Sequence, residues 1–383
     1  MVNRKVKLLV GTHKGALIFE SDESRQTWQA GDLLYKGWDV LHMQYDDRDG
    51  RLHAALAHPV YGPSLHFSDD WGAAWQQAQQ SPAITRPAQA GRPFHTPEEA
   101  FSGESVADKP EKTLKIWHVR PGRASEPGVL YAGVQPAALF RSEDRGETWE
   151  INAPLYDHPH RAQWFPGAGG LALHSIVLDE FNAERLYVGV SAAGVYRSDD
   201  GGASWNPRNR NVRADFMPEG EEAEFGHCVH KVAAHPARPG LLYQQNHCGM
   251  YRSRDGGDTW EDIGEGRLPS RFGFPIILHP HDPDTVYVVP EESDEFRVSP
   301  EGAFAVWRSR NGGESWEKLT RGLPERAYLV ALREATCADT LDETGIYVGT
   351  STGQIFASRD GGDNWYLLAD YLPPIYSLEA AVV

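Results

Sequence analysis

Four of the 16 histidines recur at matching positions along the chain. Three of them each precede a tyrosine by 13 residues, namely His118, His174 and His230 before Tyr131, Tyr187 and Tyr243. His42 lies in a corresponding earlier segment, whereas a later segment has Phe274 there. Neutral imidazole is a common ligand of transition metals, so four converging histidines predict a site for iron, copper or zinc. Two alternatives stay open, namely hydrogen bonding to backbone and water, or direct contact with a substrate as a hydrogen-bond donor or general acid–base group.

A second group of candidate ligands combines histidine with cysteine. His227 and Cys228 begin one predicted strand, and His247 and Cys248 end the next. An antiparallel hairpin would bring the two pairs opposite each other, and this combination suits zinc or copper. The alternative is that the thiols are buried as small apolar side chains. His227 and His247 are also candidate contacts for a ligand.

Carboxylates in the longer predicted loops suggest glycoside hydrolysis, because glycosidases use two carboxyl groups that flank the scissile bond. The candidates are Glu104, Glu221, Glu222, Glu224, Glu291, Glu292, Asp294 and Glu295. Of these, Glu224 is assigned to the predicted ligand site. The spacing in sequence does not give the separation of two carboxyl groups in space, and charge runs of this kind are equally typical of solvated loops.

Aromatic residues and one arginine complete the candidate ligand contacts. Trp38, Trp117 and Trp164 fall near the starts of predicted strands or in long loops, where they could stack on a sugar or an aromatic ligand. Arg161 lies in the segment DHPHRAQWF, which is a candidate contact for an anion or another ligand. The alternative for the tryptophans is packing between neighbouring elements.

These candidates must be positioned by a sequence repeat that runs through the chain. One octapeptide occurs seven times, beginning at Ser21, Ser68, Ser142, Ser198, Ser253, Ser309 and Ser358. Successive copies start 47, 74, 56, 55, 56 and 49 residues apart, which is typical of a four-stranded propeller blade with its loops. Strong copies read SDDGGASW and SRDGGDTW, whereas the first, SDESRQTW, has Arg25 where the other six have glycine.

The residue types that recur among the seven octapeptides can each be explained by a physical role in a turn. The acidic or amide residue at the third position can accept hydrogen bonds from backbone N–H groups of its own turn. The glycine two residues later permits a positive φ angle, and the tryptophan anchors the turn by burying a large apolar side chain. The pattern S-x-D-x-G-x-T/S-W resembles the Asp-box, or BNR repeat, of sialidases, xyloglucanases, sortilin-type receptors and photosystem II assembly factors.

The resemblance implies an all-β fold, a seven-bladed β-propeller with one octapeptide on the turn between the third and fourth strands of each blade. It also implies that the octapeptide is structural and remote from the active centre. Three functions stay open, because hydrolases, receptors and assembly factors share the repeat. They are a ligand site at a histidine-rich channel mouth centred on a metal, a glycoside-hydrolase-like activity through loop carboxylates, and a non-catalytic scaffold for a protein partner. The sequence favours an enzyme without identifying its reaction.

We expect residues 1–383 to form a single propeller. The N-terminal segment lacks an innermost strand, so the apolar segment 375–383 is predicted to supply it and to complete blade 1 with residues 1–37. The long connections are predicted on one face of the propeller, at 76–113, 152–170, 207–227 and 289–303. Insertions concentrated on one face are typical of a binding face, so the ligand is expected there.

Charge and composition exclude several partners. The formal net charge of −17 argues against nucleic acid and against anionic membrane surfaces. No apolar run reaches the roughly 18 residues that span a bilayer. Three cysteines cannot build a disulfide framework, and the N-terminal segment lacks the pattern of a signal peptide. We therefore expect a cytoplasmic protein that binds a small molecule or a glycan.

Overall fold

A computed structural model describes residues 4–85, 96–102, 111–215 and 223–383 of the chain. Within these ranges the chain forms 28 strands in seven four-stranded antiparallel sheets. This is a seven-bladed β-propeller, as the seven octapeptides predict. The short helical segments are α1 (Pro97–Ser102), α2 (Ala153–Tyr156) and two 3₁₀ turns (Pro159–Gln163 and Pro300–Gly302). Among the described helices, none has the length and apolar character needed to cross a membrane.

The sheets follow one another along the chain and are numbered here as blades 1 to 7. Blade 1 contains β28 (Ile375–Val382), β1 (Lys5–Thr12), β2 (Gly15–Asp22) and β3 (Gln29–Ala30). Blades 2 and 3 contain β4 (Asp39–Asp46), β5 (Arg51–His58), β6 (Gly62–Ser68) and β7 (Gln76–Gln77), then β8 (Lys115–Pro121), β9 (Leu130–Gln135), β10 (Ala138–Ser142) and β11 (Glu150–Ile151). Blade 4 contains β12 (Leu173–Leu178), β13 (Leu186–Val190), β14 (Gly194–Ser198) and β15 (Asn206–Pro207).

The remaining three blades repeat this order. Blade 5 contains β16 (Val229–Ala234), β17 (Leu242–Asn246), β18 (Gly249–Ser253) and β19 (Glu261–Asp262). Blade 6 contains β20 (Gly273–Leu278), β21 (Val286–Pro290), β22 (Val306–Ser309) and β23 (Glu317–Leu319). Blade 7 contains β24 (Thr336–Ala338), β25 (Ile346–Gly349), β26 (Ile355–Ser358) and β27 (Trp365–Ala369).

Blade 1 is built from both ends of the sequence, as predicted. β28 pairs with β1 antiparallel from Val6↔Val382 to Thr12↔Ile375. The buried apolar residues of β28 are Ile375, Leu378 and Ala381, and the first two pack in a cluster with Leu8 and Val10. The apolar C-terminal segment thus supplies the strand that the N-terminal segment lacks, which covers an edge of β1 that would otherwise expose backbone groups.

The chain divides into two compact units, each with its own buried clusters. The first unit comprises Met1–Tyr45, Tyr243–Arg252 and Asp262–Val383, and the second comprises Asp46–Leu242 and Ser253–Glu261. Apolar clusters of the first unit include Tyr287 and Tyr347. Those of the second unit include Trp164 and Phe140. Closely packed cores of this kind keep the strands in fixed positions, and the strands in turn position the ends of the connecting loops.

The octapeptide forms a hydrogen-bonded turn of the predicted kind. In blade 4 the hydroxyl of Ser198 donates to Oδ1 of Asp200 at 2.8 Å, and the backbone N–H of Gly202 donates to the same hydroxyl at 2.8 Å. Oδ1 of Asp200 also accepts from the N–H of Ser204, while Trp205 is 5% exposed. Gly202 has a φ of +94°, which explains the glycine at this position. Both bonds recur in the octapeptides of blades 2, 3, 5, 6 and 7: the serine hydroxyl donates to an aspartate, or in blade 6 to the amide oxygen of Asn311, and accepts from the glycine N–H.

A tyrosine and an arginine fasten some octapeptides to the preceding blade. Tyr187 and Arg197 of blade 4 both donate to the carbonyl oxygen of Gly256 in the octapeptide of blade 5, at 3.1 and 2.8 Å. The arginine bond recurs from Arg252 to Gly312 and from Arg308 to Gly361. The octapeptide is therefore a structural connector, as its resemblance implies.

Candidate functional site

The predicted histidine register is not retained in the strand pairing. His118 lies opposite Gly133, whereas the equivalent Gly189 of the next blade lies opposite Ser175 rather than His174. In blade 4 the pairing register of β12 shifts at His174, and in blade 3 the register of β8 shifts at Trp117. The loop between the first two strands covers 122–129 in blade 3 but only 179–185 in blade 4, so the same count of 13 residues reaches different positions. The prediction that His118 and His174 are equivalent is therefore wrong.

His174 is fully buried, and both of its ring nitrogens have protein partners. Nε2 lies 2.9 Å from the carbonyl oxygen of Val229, and Nδ1 lies 3.0 Å from Oγ of Ser175. Because a carbonyl oxygen only accepts, Nε2 must carry the proton, and Nδ1 accepts from the serine hydroxyl. An imidazole held this way has no lone pair left for a metal. His174 thus fits the hydrogen-bonding alternative, while metal binding by His42, His118 and His230 stays a prediction.

The candidate ligands at the start of β16 lie in the second unit. His227 is 1% exposed, with Nε2 2.8 Å from the carbonyl oxygen of Ala223, and burial lowers its pKa. Sγ of Cys228 lies 3.7 Å from Nε2 of His230. The second predicted pair, at 247 and 248, belongs to the first unit. The predicted juxtaposition of the two pairs stays a prediction.

Arg161 and Trp164 lie in the core of the second unit. Arg161 is 3% exposed and places Nη2 3.2 Å from Oε2 of Glu111. Trp164 is 2% exposed and donates from Nε1 to the hydroxyl of Tyr196 at 3.0 Å. These are packing contacts of the kind that the alternative interpretation expects. Contact of Arg161 and Trp164 with a ligand stays a prediction.

The other candidate contacts retain more exposure. Trp117 is partly exposed and donates from Nε1 to Oε1 of Gln135 at 3.1 Å. Trp38 is also partly exposed, and Glu224 is exposed. Their roles in ligand binding stay predictions.

Among the eight candidate carboxylates, Glu291 has a distinct environment. Three of the others lie outside the described residues (Glu104, Glu221 and Glu222), and four are exposed (Glu224, Glu292, Asp294 and Glu295). Glu291 is 1% exposed, and neither carboxyl oxygen has a hydrogen-bond partner within the described part of the chain. Burial raises the pKa of Glu291 to about 7, although the nearby Arg297 guanidinium acts in the opposite direction. Glu291 therefore keeps its proton in mildly acidic solution.

The backbone of blade 6 fixes the position of Glu291. Glu291 directly follows β21, and its N–H donates to the carbonyl oxygen of Phe272 at 2.9 Å. The hydroxyl of Ser270 donates to the carbonyl oxygen of Glu291. Because β20 and β21 are antiparallel, the start of one and the end of the other meet at the same end of the sheet. The connection 289–303 that the sequence assigns to a binding face begins here.

Two aromatic rings and two guanidinium groups lie beside this connection. The Phe272 and Phe274 rings pack edge to face, with centroids 5.3 Å apart. The Arg297 guanidinium lies 5.5 and 5.6 Å from the two centroids, and that of Arg333 lies 5.8 Å from the Phe274 centroid. These distances are typical of cation–π contacts.

A histidine–carboxylate pair completes this group. Nε2 of His247 lies 3.1 Å from Oδ2 of Asp294, and the His247 ring packs edge-on against Phe272 at 5.3 Å. All of these side chains belong to the first unit. We refer to them as the loop site, which consists of His247, Phe272, Phe274, Glu291, Asp294, Arg297 and Arg333.

The sequence identified only part of the loop site. His247, Glu291 and Asp294 were candidates, but Glu291 was not distinguished from the other loop carboxylates. The aromatic rings and the arginines were missed, although a signal was present: an F-x-F segment at 272–274 precedes a long connection with five carboxylates and one arginine. Burial is what sets Glu291 apart, and a sequence pattern in a polar loop does not reveal it.

Comparisons with known proteins find partial sequence similarity to xyloglucanases and do not assign a family. No family model matches the sequence. The chain is 26% identical over 236 residues to a xyloglucanase of a Paenibacillus species, which covers 52% of this chain and 21% of the relative. It is 24% identical over 237 residues to the xyloglucanase Xgh74A of Acetivibrio thermocellus, covering 52% and 26%. The chain thus spans about a quarter of the length of these curated relatives.

Solved structures support the fold alone, because their identities are low. An ancestral GH74 enzyme superposes with a TM-score of 0.56 at 15% identity, covering 86% of this chain and 38% of that one. A putative 6-phosphogluconolactonase from Bacteroides fragilis gives 0.55 at 10% identity, with 98% of each chain covered. YCF48 from Cyanidioschyzon merolae gives 0.52 at 11% identity, covering 93% and 95%. The chain is a seven-bladed propeller that resembles the propellers of GH74 enzymes and shares its fold with proteins of other functions.

Proposed function

We propose that this protein is a glycoside-hydrolase-like propeller that acts on a saccharide at the loop site. The observation that carries the proposal is the buried carboxyl group of Glu291, which has no hydrogen-bond partner among the described residues. A general acid must be protonated at the working pH, and a carboxyl whose pKa burial raises to about 7 meets that requirement. The resemblance to xyloglucanases over about half of the chain supports the same class of reaction.

The loop site contains groups for both proton transfers of glycoside hydrolysis. Glu291 donates its proton to the glycosidic oxygen as the bond to the anomeric carbon breaks. Asp294, held by His247 at 3.1 Å, accepts a proton from the water that attacks the anomeric carbon. The water oxygen forms the new bond, so one water is consumed and the leaving sugar departs as an alcohol. This assignment gives the two carboxyl groups different roles because one is buried and the other exposed.

The proposal is tested by hydrolysis of a panel of soluble polysaccharides with the wild-type protein and the variant Glu291→Gln. We expect kcat to fall by about 10²-fold or more, because general acid catalysis contributes about 10²–10⁴-fold. KM should change little, since glutamine keeps the shape of the side chain. An unchanged kcat on every hydrolysed polysaccharide would overturn the assignment of Glu291.

Glu325→Gln is the matched control. Glu325 is an exposed carboxylate of the first unit that lies outside the loop site. The control should retain the wild-type rate and melting temperature. Absence of hydrolysis and of saccharide binding by the wild-type protein would refute the proposed function itself, and a protein-binding scaffold would then become the leading hypothesis.

A further inference from the structure

The exposed carboxylates Glu292, Asp294 and Glu295 are referred to here as the rim of the loop site, and they make it acidic. The segment 291–297 contains four carboxyl groups and one arginine. Glu292, Asp294 and Glu295 are exposed, and only Asp294 of these three has a contact with a basic side chain of the loop site, that of His247. The whole chain carries a formal charge of −17. A positively charged ligand would therefore be attracted to this rim and an anionic ligand repelled.

Guanidinium groups already lie against the aromatic rings of the loop site, and that of Arg333 is 5.8 Å from the Phe274 centroid. The exposed Arg297 places its guanidinium near both Phe272 and Phe274, at 5.5 and 5.6 Å from their centroids. Its Nε donates to the carbonyl oxygen of Asp294 at 3.1 Å, within its own loop. Glu291 of the same site has a buried carboxyl whose oxygens have no hydrogen-bond partner among the described residues, and its N–H donates to the carbonyl oxygen of Phe272 at 2.9 Å. The aromatic faces and the exposed carboxylates of the rim together form a surface suited to a cation.

We propose that the loop site selects saccharides that carry an ammonium group, such as oligomers of glucosamine, and that Arg297 occupies the cation position until the ligand displaces it. The inference rests on the proposed function and names its substrate class. The ammonium group contacts the partly exposed Phe274 ring, and Glu292 and Glu295 attract it from the rim. A neutral sugar gains less here, because Arg297 already covers the ring faces on which it would stack.

Two trisaccharides with the same skeleton provide the test. The trimer of glucosamine carries ammonium groups below neutral pH, whereas the trimer of N-acetylglucosamine is neutral. Isothermal titration at pH 6 is expected to show at least tenfold tighter binding of the amino trimer, and added salt should reduce this preference. Equal affinity for the two trimers, or a preference for the acetylated one, would overturn the inference.

Two variants are expected to change the affinity for the amino trimer in opposite directions, whereas a loss of folding would weaken binding in both. Glu292→Gln with Glu295→Gln should weaken binding of the amino trimer about fivefold and leave the acetylated trimer unaffected, because two rim charges are lost. Arg297→Ala should strengthen binding of the amino trimer about threefold or more, because an internal competitor is removed. Weaker binding of the amino trimer by Arg297→Ala would show that Arg297 holds the ligand and would contradict the inference.

The inference and the proposed function fail in different ways. Hydrolysis of a neutral polysaccharide that depends on Glu291, without preference for the amino trimer, leaves the proposed function intact and refutes the substrate class. Absence of both hydrolysis and trimer binding refutes both. Tight binding of the amino trimer without hydrolysis supports the site and its selectivity but removes the catalytic role of Glu291.

Discussion

Nη1 of Arg25 lies 3.0 Å from Oδ2 of Asp339, and both side chains are buried. Arg25 stands where the other six octapeptides have glycine, and it adopts a φ of +53°. Blade 7 has Ala357 at the position where blades 4, 5 and 6 have the arginine that fastens the following octapeptide. At this junction the octapeptide itself supplies the guanidinium and reaches back to blade 7. The first octapeptide is thus adapted to a different partner.

Replacing Arg25 with glycine should destabilise the protein, although it restores the repeat and relieves the positive φ angle. Removing one member of a buried ion pair leaves the Asp339 carboxylate without its cation, which costs about 3–5 kcal/mol. Chemical denaturation of Arg25→Gly, Asp339→Asn and the double variant measures this cost. The double variant should lose less than the sum of the two single variants. Wild-type stability of Arg25→Gly would show that the ion pair is dispensable.

Glu291 should make the protein less stable as the pH rises from about 4.5 to 7. Burial raises its pKa to about 7 in the folded state, so between these values the folded protein binds more protons than the unfolded chain. Unfolding therefore becomes easier with rising pH, by about 3 kcal/mol from this group. Glu291→Gln removes the effect, so its melting temperature relative to wild type should be higher at pH 8 than at pH 5. A pH-independent difference would contradict the assignment.

Deleting the residues after Pro374 should abolish cooperative unfolding. The deletion removes β28, whose Ile375 and Leu378 are buried against blade 1, and leaves β1 with an unpaired edge. Circular dichroism during heating measures the transition. Leu378→Ala is a milder comparison that keeps the strand and should cost about 2–5 kcal/mol. A truncated chain with the wild-type melting temperature would disprove the role of this strand.

His174→Ala should reduce stability by about 2–4 kcal/mol, because it leaves a cavity and deprives the Val229 carbonyl of its donor. The partly exposed His118 should tolerate alanine better. Denaturation combined with elemental analysis of the purified proteins checks both points. A transition metal present in equal amount to the protein and lost in His174→Ala would contradict the hydrogen-bonding role of His174.

The sequence was most informative about repeated structure. Seven octapeptides predict seven blades, because most of these turns use the same serine, acid or amide, glycine and tryptophan within a few residues. Such local requirements leave a recognisable pattern in the sequence. The role of β28 followed from the same periodicity, since blade 1 lacked one strand. The histidine register failed because a single residue of difference in loop length shifts the pairing, and residue counts across a loop do not reveal such a shift.

The sequence by itself determined the fold of this protein and the loops that carry its candidate residues. Only the tertiary structure separated Glu291 from the exposed carboxylates beside it, buried Arg161 and Trp164, and brought Arg297 to the rings of Phe272 and Phe274. The physical reason is that the propeller repeat depends on hydrogen bonds within a few residues, which a linear pattern records. Burial and the charge that a side chain carries depend instead on segments brought together by folding, and those neighbours set the chemistry of the loop site.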